Sequence, residues 1–119
     1  MAEVAYTATR PQAGGNVVKY AWAGLTDGDT GDVVDLMGLS GLACSVQITA
    51  ATGGAVTMQV SLDGTNWETM KDTGGNDVTA AAGATAYFDV STAALYAQPL
   101  GGTSLTDGDL MMVVREALE

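Results

Sequence analysis

The segment from Ala55 to Trp67 alternates apolar and polar residues, runs into a tight-turn sequence and ends on a tryptophan. Successive side chains of a strand point to opposite faces, so Val56, Met58, Val60 and Leu62 share one side, and Thr57, Gln59 and Ser61 the other. Such a strand has one dry face and one wet face. Asp63 and Gly64 then supply a carboxylate acceptor and a residue free to take positive φ, which predicts a hairpin turn before Trp67 enters the next strand.

The same alternation marks other elements. Val17 to Ala23 reads as a strand with Val18, Tyr20 and Trp22 on one parity, two large aromatics that belong in a core. Ahead of it, residues 1–16 read as an N-terminal arm, because the short alternation Val4, Tyr6, Ala8 gives way to the breaker sequence from Arg10 to Asn16. An arm of this kind either pairs with a neighbouring molecule or is a frayed terminus or an ordinary edge strand. Residues 17–119 form a single β-domain on this reading. Gly38 to Gly41 is a connector, and Cys44–Thr52 and Ala55–Leu62 form an antiparallel pair turning at Gly53 and Gly54. Lys71 to Asp77 is a polar loop, and Ala86, Phe88 and Val90 point inward from a later strand.

Two segments carry conflicting signals. Pro99 argues against a central strand between Ser91 and Leu100, and Thr92 to Tyr96 fits a single helical turn. Leu110 to Val114 is apolar on both parities, which predicts a strand buried on both faces or covered by a neighbouring subunit. With roughly six to eight short strands between Gly and Asp turns, the expected fold is all-β: a compact antiparallel β-sandwich or jelly-roll-like barrel.

The segment from Val56 to Trp67 resembles a stretch of the form V-x-V-Q-x-S-x-D-G-x-N-W found in the β-domains of small tailed-phage virion proteins. The likeness covers about a dozen residues; beyond them it is one of texture, in short strands rich in Ala, Thr and Gly, acidic turns and very few Lys or Arg. Ser61 to Trp67 also looks like the Asp-box of sialidases, but has one residue fewer between Asp and Gly, and Asn66 where the box has Thr. A turn of different length holds the Asp in a different place.

Composition narrows the function. Charged residues make up 15% of the 119, below the usual quarter, so much of the surface is Thr, Ser, Gly, Asn and Gln. An uncharged polar surface is cheap to desolvate and suits permanent packing against protein. The net charge of −10 sets fourteen acids against Arg10, Lys19, Lys71 and Arg115, too few and too scattered for a phosphate-binding patch, which argues against a nucleic-acid partner. There is no His, and Cys44, the only thiol, lies on the parity of Val46 and Ile48, which reads as core. A lone Cys fits synthesis in a host cytoplasm, and no signal-peptide pattern or run of membrane-spanning length is visible, so no membrane role is expected.

Leu25-Thr26-Asp27-Gly28-Asp29 recurs as Leu105-Thr106-Asp107-Gly108-Asp109, which suggests equivalent turns at one end of a sandwich or convergence on a favourable turn sequence. Asp27, Asp29 and Asp32 are hard oxygen donors for Ca²⁺, but their spacing is not that of an EF-hand loop, and turn preference alone accounts for them. Asp63 and Glu68 are the nearest approach to a carboxylate pair, with nothing to fix their separation, so no enzyme and no cofactor is expected.

The resemblance implies a structural virion protein, and within that class a capsid decoration (cement) protein on the outer surface of the head, a homo-oligomer with a trimer favoured, bound to the major capsid protein. The candidate partner interface is Val4, Tyr6, Arg10 and Trp67. The alternatives are a tail-, connector- or fibre-associated β-domain, or a carbohydrate-binding module stacking sugars on Trp22, Tyr20 or Trp67.

Overall fold

A computed structural model describes residues 3–11, 17–36, 39–90 and 94–116, the side chains of 39–43 and 116 excepted. The strands are β1 (Glu3–Val4), β2 (Tyr6–Thr9), β3 (Val17–Leu25), β4 (Thr30–Gly31), β5 (Val34–Asp35), β6 (Leu39–Thr52), β7 (Val56–Ser61), β8 (Glu68–Thr69), β9 (Thr79–Ala80), β10 (Ala86–Val90), β11 (Tyr96–Gly101) and β12 (Asp107–Glu116). They build two sheets. One runs β1-β4-β11-β7-β8, with β5 also on β11 and β9 also on β7; the other runs β10-β6-β12-β3-β2. Every pairing is antiparallel except the short parallel contact of β1 with β4. The expected all-β, antiparallel-rich sandwich is what the chain adopts.

Alternation explains the layering. Val18 and Trp22 of β3, Val46 and Ile48 of β6, and Leu110, Met112 and Val114 of β12 are buried in one cluster with Val56 and Met58 of β7 and Ala97 of β11. Each fully buried side chain of this size stabilises the fold by about 1.5–3 kcal/mol. Cys44 belongs to the same cluster, and burial pushes its thiol pKa up to about 11, which keeps it protonated and inert at neutral pH.

Several expectations are corrected. Cys44–Thr52 and Ala55–Leu62 do not pair: β6 runs beside β10 and β12, whereas β7 lies in the opposite sheet beside β11. Each strand has one apolar face, and crossing the sandwich sets those two faces against each other. The corner is built on Gly53 at φ +84° and on Gly54, where a Cβ would stand 2.5 Å from the Thr103 carbonyl oxygen. Residues 39–41 are not a connector but the start of β6. Of the expected helical turn, 92 and 93 lie outside the described residues, and Tyr96 begins β11.

Pro99 sits in a central strand after all. Met58, its partner across β7, donates its N–H to Val78 and accepts from Met70, so both backbone groups of Met58 point away from β11. The Met58–Pro99 pair is therefore a non-hydrogen-bonded one, and the position of the missing N–H faces β4 and β5. There the ladder is interrupted: Thr30 opposes Leu100 and Val34 opposes Ala97, so three residues, 31–33, span two. A bulge opposite the proline removes the demand for its donor.

Leu110 to Val114 is covered on one face by its own domain. Leu110, Met112 and Val114 are buried, while Met111 and Val113 lie half-buried on the outer face.

Candidate functional site

Strands β7 and β8 pair as the predicted hairpin, Gln59 opposite Thr69 and Val60 opposite Glu68, and the turn between them is closed by a dense set of hydrogen bonds. Its anchor is Ser61, which is buried. The Ser61 hydroxyl donates to Asp63 Oδ1 at 2.9 Å and accepts the N–H groups of Asp63 and Gly64 at 3.2 and 2.9 Å. Asp63 Oδ1 also accepts from the N–H of Thr65 at 2.9 Å and of Asn66 at 2.8 Å, and Oδ2 from the Asn66 side-chain amide at 2.6 Å. These donors, led by the Asn66 and Thr65 backbone, hold the Asp63 carboxyl well below the usual carboxylate range. Gly64 takes φ +78°, as a turn residue here must.

This network corrects the assignment of Leu62 to the inner face. Drawing Ser61 inward to cap the turn reverses the alternation after Val60, and Leu62 emerges 70% exposed. Leu95 lies alongside, 37% exposed, its N–H donated to the Ser61 carbonyl at 3.1 Å. Val60, Leu62 and Ala94 line a largely apolar cavity of about 340 Å³ rimmed by Asp63, Asn66 and Glu68. Sequence reading missed this patch. Its signal is the Ser-x-Asp-Gly order itself, since a Ser two residues before the Asp is placed to bond the turn and forfeit its outward position.

The four predicted interface residues do not come together. Val4 is half-buried on β1 and its carbonyl accepts the Asp32 N–H at 2.8 Å. Tyr6 on β2 packs edge-on against the rings of Tyr20 and Trp22, with centroids 5.0 and 6.0 Å apart. Arg10 is exposed beyond β2. Trp67, half-buried, closes the turn before β8, and β1 and β8 are opposite edges of one sheet. Over residues 3–9 the N-terminal arm is thus an edge of both of the chain's own sheets, as an ordinary edge strand would be. The sugar-stacking surface is also redrawn: Trp22 is 1% exposed, donates its indole N–H to the Asp32 carbonyl at 3.2 Å, and cannot present a face to ligand.

The repeated Leu-Thr-Asp-Gly-Asp segments do meet at one end of the sandwich, where Gly108 pairs with Leu25 and both Leu25 and Leu105 are buried. They are not equivalent turns. In the first, Gly28 takes φ +75° and Asp29 Oδ2 accepts from the N–H and hydroxyl of Thr26 at 2.9 and 2.8 Å. In the second, Asp107 already begins β12, and Asp109 Oδ1 accepts the Gly24 N–H at 2.9 Å. The Asp109 charge pushes the Asp107 carboxyl pKa up, and a side-chain hydrogen bond with Asp32, helped by the Asp32 charge, does the same to Glu3. Asp27, Asp29 and Asp32 do not converge, and no group of three metal-capable side chains is present among the described residues. Asp72 spends its Oδ1 on the N–H groups of Gly74 and Asn76 at 2.8 and 2.9 Å. Asp29, Asp63 and Asp72 thus each bond the backbone of their own turn.

The class defined here is a two-sheet β-sandwich with hydrogen-bonded acidic turns and an apolar patch at a hairpin tip. Compared by sequence, the chain matches no protein-family model and no curated protein. By structure it is similar to the SPBc2 prophage-derived protein YomS, with TM-score 0.60 and 9% identity over 82% of this chain and 93% of that one. It is also similar to a subunit of the Bacillus endospore appendages, described as a family of disulfide-linked pili, with TM-score 0.50 and 18% identity over 95% and 98% of the two chains. A cupin domain from Bordetella pertussis aligns at TM-score 0.47 and 10% identity, over 98% and 99%. At these identities the likeness is one of fold.

Proposed function

We propose that this chain is a non-catalytic structural protein of a tailed-phage particle, most specifically a head decoration protein that binds the major capsid protein on the capsid exterior. The observation that carries the reading is the hairpin tip. Leu62 and Leu95 stand exposed beside an apolar cavity on a turn made rigid by Ser61 and Asp63, and a preorganised apolar knob loses little entropy on docking to protein. The Asp63 carboxylate beside it is engaged by the N–H groups of Thr65 and Asn66 and by the Asn66 amide, which suits shape better than proton transfer. Similarity of fold to a prophage-derived protein supports the phage setting. A decoration protein acts by mass action, since contacts available only on the expanded lattice stabilise that lattice.

The fold it shares with a pilus subunit favours the tail- or fibre-associated alternative as the second reading. Cosedimentation with expanded, undecorated heads tests both. Saturable pelleting, weakened at least tenfold by Leu62→Glu with the circular dichroism spectrum unchanged, is the expected result. A protein that ignores heads would sink the decoration reading and leave the tail-associated one.

A further inference from the structure

The outer face of the second sheet carries a charge pattern that a single chain leaves unused. Register across the strands aligns Asp89 (β10), Ser45 (β6), Val113 (β12), Lys19 (β3) and Thr9 (β2) in one row. The adjacent row is Tyr87, Gln47, Met111, Ala21 and Thr7. All ten side chains are exposed or half-buried, and Met111, Val113 and Ala21 give the middle of the face an apolar stripe. Tyr87 is 61% exposed.

Charge on this face is unlike that of the rest of the molecule. Lys19 and Arg115 are two of the chain's four cations, and Asp89 is the acid that shares the rows, on a protein of net charge −10. Asp89 is preorganised: its Oδ1 accepts the hydroxyls of Tyr87 at 3.0 Å and Ser45 at 3.2 Å, which leaves Oδ2 for another donor. Neither Lys19 nor Arg115 has a partner among the described residues. Lys19 cannot reach Asp89 in its own chain, because three strand spacings of about 4.8 Å put them roughly 14 Å apart.

We propose that this face pairs with the same face of a second copy of the chain. A two-fold axis parallel to the strands and lying between β6 and β12 exchanges β10 with β3 and β6 with β12. Each Lys19 then faces the partner's Asp89 and each Val113 the partner's Ser45, while Tyr87 covers the partner's Ala21. The two Arg115 side chains stand over β6 of the opposite copy and avoid each other. Sheets stack about 10 Å apart, a gap that the stem of a lysine spans with its carboxylate partner on the other side. Four strands cover about 500 Å² per chain, or about 1,000 Å² in all, the lower end of specific interfaces, so a dimer of modest affinity is expected. Elsewhere the chain's acids far outnumber its cations, which repels a like copy; here opposite charges meet. Such an isologous contact closes as a dimer, so a trimer would have to use a different surface.

Light scattering against protein concentration, without heads, tests the pairing separately from any virion role. The mass should climb from the 12.0 kDa of the chain toward twice that value. Lys19→Glu and Asp89→Lys should each raise the dissociation constant at least tenfold, and combining the two substitutions should restore it to within about threefold, since the swapped charges meet again. Circular dichroism melts check that each variant is folded. A mass that stays at one chain throughout, or an association indifferent to Lys19→Glu, would overturn the proposal. Success or failure here leaves head binding to be judged on its own assay.

Discussion

Asp63 shows how much one side chain can settle when its acceptors match the donors of a turn. Its carboxylate binds two backbone N–H groups, one amide side chain and the Ser61 hydroxyl, all of which favour the charged form. The folded-state pKa is therefore below the unfolded one, so whatever the charged carboxylate contributes to stability is present in full above the unfolded value and is lost progressively as pH falls from there through the native value. In an NMR acid titration the amide protons of Thr65 and Asn66 should hold their shifts through the ordinary aspartate range near about 3.9 and move only below it. Movement at the ordinary value would show that the carboxylate is not held as described. The presence of this turn was legible in the Asp63-Gly64 pair; the exposure of Leu62 was not, because alternation counts residues and does not register that a hydroxyl can be recruited inward.

At the scale of elements, the parity of β3, β6 and β10 could be read directly, with Trp22, Ile48 and Val90 landing in the core as their spacing requires, whereas β12, apolar on both parities, did not reveal which face is covered. Partner choice could not. Whether β6 turns back on itself or crosses to the other sheet depends on contacts that Gly54 makes with residues 103 and 105, some fifty positions away. Pro99 likewise looked incompatible with a central strand until the bulge across from it was known. Gly31 is the hinge of that bulge, and a Cβ there would stand 2.4 Å from the Pro99 ring and 2.5 Å from the Trp22 indole. Gly31→Ala should consequently cost about 1–3 kcal/mol of stability in urea unfolding, the penalty of forcing a methyl into a packed site. An unchanged midpoint would mean that ring and indole yield freely.

For the whole molecule, the N-terminal strands matter more than their length indicates. With only Ala5 between them, β1 joins one sheet and β2 the other, and Tyr6 covers Tyr20 and Trp22. Removing residues 1–16 should lower the melting temperature and shift tryptophan fluorescence to the red as Trp22 gains solvent. If melting and emission are both unaltered, these strands contribute nothing to the fold. Loss of head binding by that truncation would be informative only if the fold survives it.

The placement of β12 has a consequence for how the protein comes into being. It is the last of the described strands, yet it is the middle strand of its sheet, flanked by β3 and β6. During synthesis those two strands emerge with open edges that only β12 can close, and the sheet forms through contacts between distant parts of the sequence. Maturation of this domain must wait until β12 has left the ribosome, and a nascent chain halted before it would present two unpaired strands to any neighbour. A chain built this way can present its folded surface to a partner only once it is finished, because the half-made chain lacks the sheet that carries that surface.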